Sequence, residues 1–189
     1  MALHVNYDQA LACVIECYRK GGKLMMCGNG GSSADSAHIA GELLKGFLKK
    51  RPLPAELCAR IGEEWAGKLQ MGLPAIDLTA HSALISAVAN DLDAANVYAQ
   101  QVMAYGREGD VLIGISTSGN SENVLRACIT ARALGVKVIA LTGQGGGKMR
   151  DKCDILLNVD ETATYKVQEK HLQLYHRLCA DVEAAFYEV

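Results

Sequence analysis

No stretch of this 189-residue chain is apolar for long enough to cross a bilayer, and its start, MALHVNYDQA, lacks the basic-then-apolar layout of a secretion signal. Those absences exclude a membrane span and place the protein, as an expectation, in the cytoplasm. The seven cysteines are odd in number, scattered and never spaced as C-x-x-C. That argues against a disulfide framework and a thiolate zinc site, and leaves most of them as small buried hydrophobes. With a net charge of -2 and no basic run beyond Lys49-Lys50-Arg51, nucleic acid is not expected as the main ligand. Any anion bound here has to be held mostly by local groups.

What is present is a composition that is 50% hydrophobic, enough for the core of one ordinary domain. Residues 7–20 carry Leu11, Val14, Ile15 and Tyr18 at helical spacing, and Gly21-Gly22 stops that helix. The short apolar runs 23–27, 75–78, 110–115, 136–143 and 154–159 read as strands, and 81–89, 96–105, 122–134 and 164–188 as helices. Pro52 and Pro54 break the chain before a segment at about 54–72, containing the single Trp65, that reads as an inserted helix. Strands separated by helices imply a parallel sheet covered on both faces, and the absence of long linkers and low-complexity tracts implies one domain over 1–189.

Two turns rich in small residues follow strands, where ligands sit in open parallel sheets. The first, CGNGGSS, fails as a dinucleotide turn: the sixth position of GNGGSS is Ser33, and a basic run stands where the ribose-binding acid belongs. Ser32 or Ser33 can cap the next helix, with Asp35 in its first turn. The loop GQGGGK fails as a P-loop, since Met149 replaces the metal-binding hydroxyl. In the second turn Ser116, Thr117, Ser118 and Ser121 surround Gly119 at the mouth of a helix, which suits a phosphate without a lysine and equally suits ordinary cap and turn residues.

His38 and Glu42, four residues apart on a helix, can reach one point, and taken alone they read first as a hydrogen-bonded pair. Gln168, His171, Tyr175 and His176 fall in a wide sector of the terminal helix, and periodicity does not choose between the histidines. Asn90-Asp91 is first a cap or turn signal and second a hydroxyl binder.

Taken together, CGNGGS, His38-x-x-x-Glu42, Asn90-Asp91, GREGDVLIGISTSGNS, LTG and Gln168 through His176 resemble the phosphoheptose isomerases of the sugar isomerase (SIS) domain superfamily, in order over most of the chain. The resemblance implies an α/β three-layer sandwich with a five-stranded parallel flavodoxin-like sheet. It implies isomerisation of sedoheptulose 7-phosphate to D-glycero-D-manno-heptose 7-phosphate through an enediol, with Glu42 as base and His176 as acid/base partner at oxygen. Asn29, Gly30, Gly31, Ser32, Glu42, Asn90, Asp91, Ser116, Thr117, Ser118, Ser121 and Gln168 would contact the substrate. Zinc would be held by His38, Glu42, Gln168 and His176, leaving His171 as a neighbour, although zinc rarely takes Gln and a zinc-bound carboxylate is a weaker base. The assembly implied is a homotetramer with sites between subunits, with no nucleic-acid or membrane partner. The chain begins about one helix later than the family pattern leads one to expect. The alternatives are a non-catalytic phosphosugar-binding or regulatory SIS protein and an isomerase of another sugar phosphate.

Overall fold

The apolar runs form one sheet in the computed structural model, which describes residues 4–187. Its strands are β1 (Leu24–Cys27), β2 (Ala75–Asp77), β3 (Val111–Ser116), β4 (Lys137–Thr142) and β5 (Ile155–Asn158). All pair in parallel, in the order β2-β1-β3-β4-β5. This is the doubly wound flavodoxin-like order, with its switch point between β1 and β3. The interior strands β1 and β3 are buried at every position, whereas the edge strands β2 and β5 are partly exposed. A continuous apolar run is therefore the mark of a strand covered on both faces.

Side chains alternate across the sheet, so Leu24 and Met26 enter one core and Met25 and Cys27 the other. The first core is closed by α1 (Tyr7–Arg19), α2 (Gly31–Leu44) and α8 (Thr164–Phe186), through residues such as Val14, Ile39, Leu43 and Leu178. The second is closed by α5 (Ser82–Val88), α6 (Ala99–Tyr105) and α7 (Glu122–Ala133), through Val88, Val102, Leu125 and Cys128. Each fully buried Leu, Ile or Val contributes about 1.5–3 kcal/mol relative to exposure. No helix among the described residues is long and apolar enough to cross a membrane.

Three local readings change. The inserted segment is two short helices, α3 (Ala55–Ile61) and α4 (Glu63–Ala66), because Gly62 between them adopts φ +97°, a value a helix cannot contain. Trp65 stays 60% exposed on it. The loop after β4 is not irregular throughout: Gly145, Gly146 and Gly147 take positive φ and lead into a 3₁₀ turn, Gly147–Lys152. The helix at 81–89 does not end before Asn90-Asp91, since a π-helical turn, Ala89–Asp93, continues it. Residue 188, expected in the last helix, lies outside the described residues.

Candidate active site

The turn after β1 is shaped by glycine. Gly30 takes φ +57°, so α2 begins at Gly31, earlier than a Ser32 or Ser33 cap would place it, and no side chain caps it. Ser32 and Ser33 donate their amides to the Asn29 and Gly30 carbonyls, both at 3.0 Å, and Asp35 sits beyond the first turn. A Cβ on Gly31 would run into the Gln168 amide, whose carbon would lie 2.8 Å away. The glycine thus makes room for a side chain from α8. Asn29 exchanges two amide hydrogen bonds with Asn123 of α7, each 2.9 Å, and the Tyr98 hydroxyl donates to the Gly28 carbonyl at 2.6 Å. The Asn29–Asn123 pair therefore ties the first turn to the second across the switch point.

The turn after β3 is shaped by hydroxyls and by backing backbone. Ser121 stands at the N-cap of α7, but its hydroxyl lies 2.9 Å from that of Ser116 and does not cap the helix. Gly119 has φ +67° and lies against the Gly146 backbone; the Met149 amide donates to its carbonyl at 3.0 Å. The Lys148 amide donates to Asn120 Oδ1, also at 3.0 Å, and the Gly143 amide to the Thr117 carbonyl at 2.9 Å. GQGGGK, which fails as a phosphate loop, is thus the buttress of the neighbouring turn. Its run of three glycines was the available signal.

The terminal helix lies along α2 in the same direction, with Gln168 meeting Gly31, Tyr175 meeting Asp35 and His38, and His176 meeting His38. His38 Nε2 is 3.1 Å from Glu42 Oε1 and 3.4 Å from His176 Nε2, although His38 and His176 are 138 positions apart. His171, five residues before His176 and so turned about 140° from it, is buried in the core. Its Nε2 is 3.1 Å from the Thr142 carbonyl, its Nδ1 has no partner among the described residues, and burial lowers its pKa against the pull of that carbonyl. His38 Nδ1 lies 3.0 Å from the Tyr175 hydroxyl, which donates to Asp35 Oδ1 at 3.2 Å. Burial pushes the Asp35 carboxyl above its ordinary pKa, against the Tyr175 hydrogen bond and His38, and burial with Asp35 raises that of Tyr175.

The far end of this helix pair is locked by a fully buried ion pair, Arg51 Nε to Glu183 Oε1 at 2.8 Å. Arg51 also donates to the Leu43 carbonyl at 2.6 Å and the Glu42 carbonyl at 3.2 Å, so it caps α2 directly behind Glu42. Glu183 accepts the amides of Phe47, Leu48 and Lys49. Burial raises its pKa, but the Phe47 and Leu48 amides and Arg51 outweigh that and hold it below the ordinary carboxylate value. The sequence signal was present as a basic run; the buried role of its last member was not.

His38, Glu42 and His176 bring ligand atoms within 4.8 Å of one another, a donor set of two imidazoles and a carboxylate that fits zinc. Gln168 stands eight residues before His176, about 12 Å along the helix axis, with its amide at the first turn. Asn90 and Asp91 lie in the π-helical turn, exposed and bonded to each other at 2.7 Å.

The doubly wound sheet and the hydroxyl-rich turn at its switch point belong to a known class: the SIS domain family model matches residues 55–143, which hold that turn. The phosphoheptose isomerase of Rhodospirillum rubrum is 43% identical over 177 residues, 94% of this chain and 84% of that protein. The solved phosphoheptose isomerase of Francisella tularensis superposes with a TM-score of 0.82 at 36% identity, covering 97% of this chain and 87% of that one. That of Neisseria gonorrhoeae gives 0.79 at 37% identity, covering 94% and 85%. The chain belongs to the phosphoheptose isomerase family.

Proposed function

We propose that this protein interconverts sedoheptulose 7-phosphate and D-glycero-D-manno-heptose 7-phosphate as an aldose-ketose isomerase. The observation that carries the reading is the convergence of Glu42, His38 and His176 from two helices, in a chain of this family. Ketose becomes aldose when a base removes the proton from the carbon beside the carbonyl and a second group moves a proton between the two oxygens. Glu42 takes and returns the carbon-bound proton, and His176 serves the oxygens. Ser116, Thr117, Ser118 and Ser121, with the first amides of α7, hold the phosphate; the Val124 amide is already taken by Asn123 Oδ1 at 3.0 Å. Asn29, Gly30, Gly31, Ser32, Asn90, Asp91 and Gln168 take the sugar hydroxyls, so binding energy far from the reacting carbons orients them.

His38, Glu42 and His176 would hold zinc; Gln168, which the resemblance adds as a fourth group, would have to leave its place against Gly31 to join them. When bound, zinc supplies positive charge that polarises a carbonyl and steadies the charge developing on its oxygen. The reading also includes a cytoplasmic location and a homotetramer with sites between subunits; the exposed apolar side chains Leu44, Leu48, Trp65 and Leu69 offer surface that association would cover.

Glu42→Gln should keep the fold and sugar-phosphate binding while turnover falls by about 10²–10⁴-fold, read by following the ketose-aldose conversion. Full turnover in that variant removes Glu42 as the base. Wild-type protein that binds the sugar phosphate with zinc supplied and never converts it is a binding protein instead. Sedimentation of the same preparation as single subunits would remove the tetramer.

A further inference from the structure

We propose that Asp35 and Tyr175 are positioning residues that keep a proton on His38 Nδ1, so that Nε2 is the nitrogen left to give a lone pair to a metal where Glu42 and His176 converge. The inference rests on the reading of His38, Glu42 and His176 as the metal-holding set. It follows from counting protons along one chain of contacts. The Tyr175 hydroxyl has one proton and two neighbours, Asp35 Oδ1 at 3.2 Å and His38 Nδ1 at 3.0 Å. A carboxylate only accepts, so it takes the tyrosine proton. The tyrosine oxygen is then left to accept, and its partner Nδ1 must donate. Nε2 is then the nitrogen that faces Glu42 Oε1 at 3.1 Å and His176 Nε2 at 3.4 Å; the Glu42 carboxylate also only accepts, so a proton on Nε2 is held toward Glu42 and is the one a bound metal displaces.

The surroundings hold this arrangement. Tyr175 is 1% exposed and packed in the core between α2 and α8, with its ring edge-on to His38 at 5.5 Å between centroids. Asp35 stands one turn before His38 on the same helix face, and its Oδ2 is buried with no hydrogen-bond partner among the described residues. A half-buried carboxylate with one oxygen left unpartnered costs stability. Setting the hydrogen bond behind an imidazole is a task an acid performs, because the partner behind a ligating histidine determines which nitrogen faces the metal. Were Tyr175 to donate to His38 instead, the ring's only proton would sit on Nε2, and a metal could bind there only after that proton moved to Nδ1.

The two tautomers are distinguished by long-range proton–nitrogen correlation on ¹⁵N-histidine-labelled, metal-free protein at about pH 8, where free imidazole is neutral. A proton on Nδ1 is expected for His38 in the wild type, whether or not Nε2 also carries one toward Glu42. Tyr175→Phe, which keeps the ring in the core, should shift His38 toward the Nε2–H form that an unconstrained imidazole favours. Titration of the metal-free protein with zinc should show affinity falling about 10–100-fold. Asp35→Ala should fall at least as far, because it frees the tyrosine proton for Nδ1. Asp35→Asn, whose carbonyl accepts the same proton, should keep most of the affinity. A wild-type His38 with no proton on Nδ1 overturns the proposal, as does a Tyr175→Phe protein with unchanged His38 protonation and zinc affinity. A wild type with the Nδ1–H tautomer and no zinc binding or turnover instead removes the metal and isomerase reading while leaving the hydrogen-bond chain intact.

Discussion

The turns after β1 and β3 follow the same plan of strand, small residues and helix, yet glycine does different work in each. In the first, the glycine at the helix start faces a movable side chain, the Gln168 amide. In the second, Gly119 faces the backbone of another loop. The first turn is a clearance that lets α8 reach the site, and the second is a rigid cup braced from behind. A flexible amide can be displaced at small cost, whereas a backbone-on-backbone contact moves only if a loop moves.

Substitutions that add a methyl group or remove a hydroxyl test that difference. The largest effect belongs to Gly119→Ala, which meets both a φ of +67° and the Gly146 backbone. The dihedral alone costs about 1–3 kcal/mol, so the urea midpoint should drop and phosphate binding should fail with it. Gly31→Ala should leave the urea midpoint unchanged or raise it slightly, since Ala suits a helix better than Gly by about 1 kcal/mol. Its penalty should appear in KM, about tenfold, because the Gln168 amide must vacate its place. Equal losses of stability in the two variants would erase the distinction between clearance and cup. The smallest effect is expected for Ser121→Ala, which removes one partner of the Ser116 hydroxyl. Loss of a single hydrogen bond of about 0.5–1.5 kcal/mol should raise KM several-fold and leave kcat unchanged.

Much of the fold was legible before the structure. All five strands fall where apolar runs stand between turn signals, with ends shifted by a residue or so. The misplaced details share a cause. The break at Gly62, the start of α2 at Gly31 and the 3₁₀ turn after Gly146 are set by glycines with positive φ, which in sequence look like any other glycine. The π-helical turn over Asn90 and Asp91 has no periodic signature at all. In the site, His38 and Glu42 were readable as a helical pair, while the half-buried Asp35, the core-packed Tyr175 and the Arg51–Glu183 lock were not, because each acquires its role from a partner far away in sequence.

By itself, then, the order of residues determined the parallel sheet, the two turns at its carboxyl ends and the four-residue spacing of His38 and Glu42, since these depend on local periodicity and turn chemistry. Between His171 and His176 local periodicity did not choose; the resemblance implied His176, and only the tertiary structure supplies the physical reason. Periodicity leaves both on a wide sector of one helix, and the parallel packing of α8 along α2 turns His176 toward His38 and His171 into the core. That choice depends on the rotation of one helix against another, which is set by long-range packing and written in no short stretch of sequence.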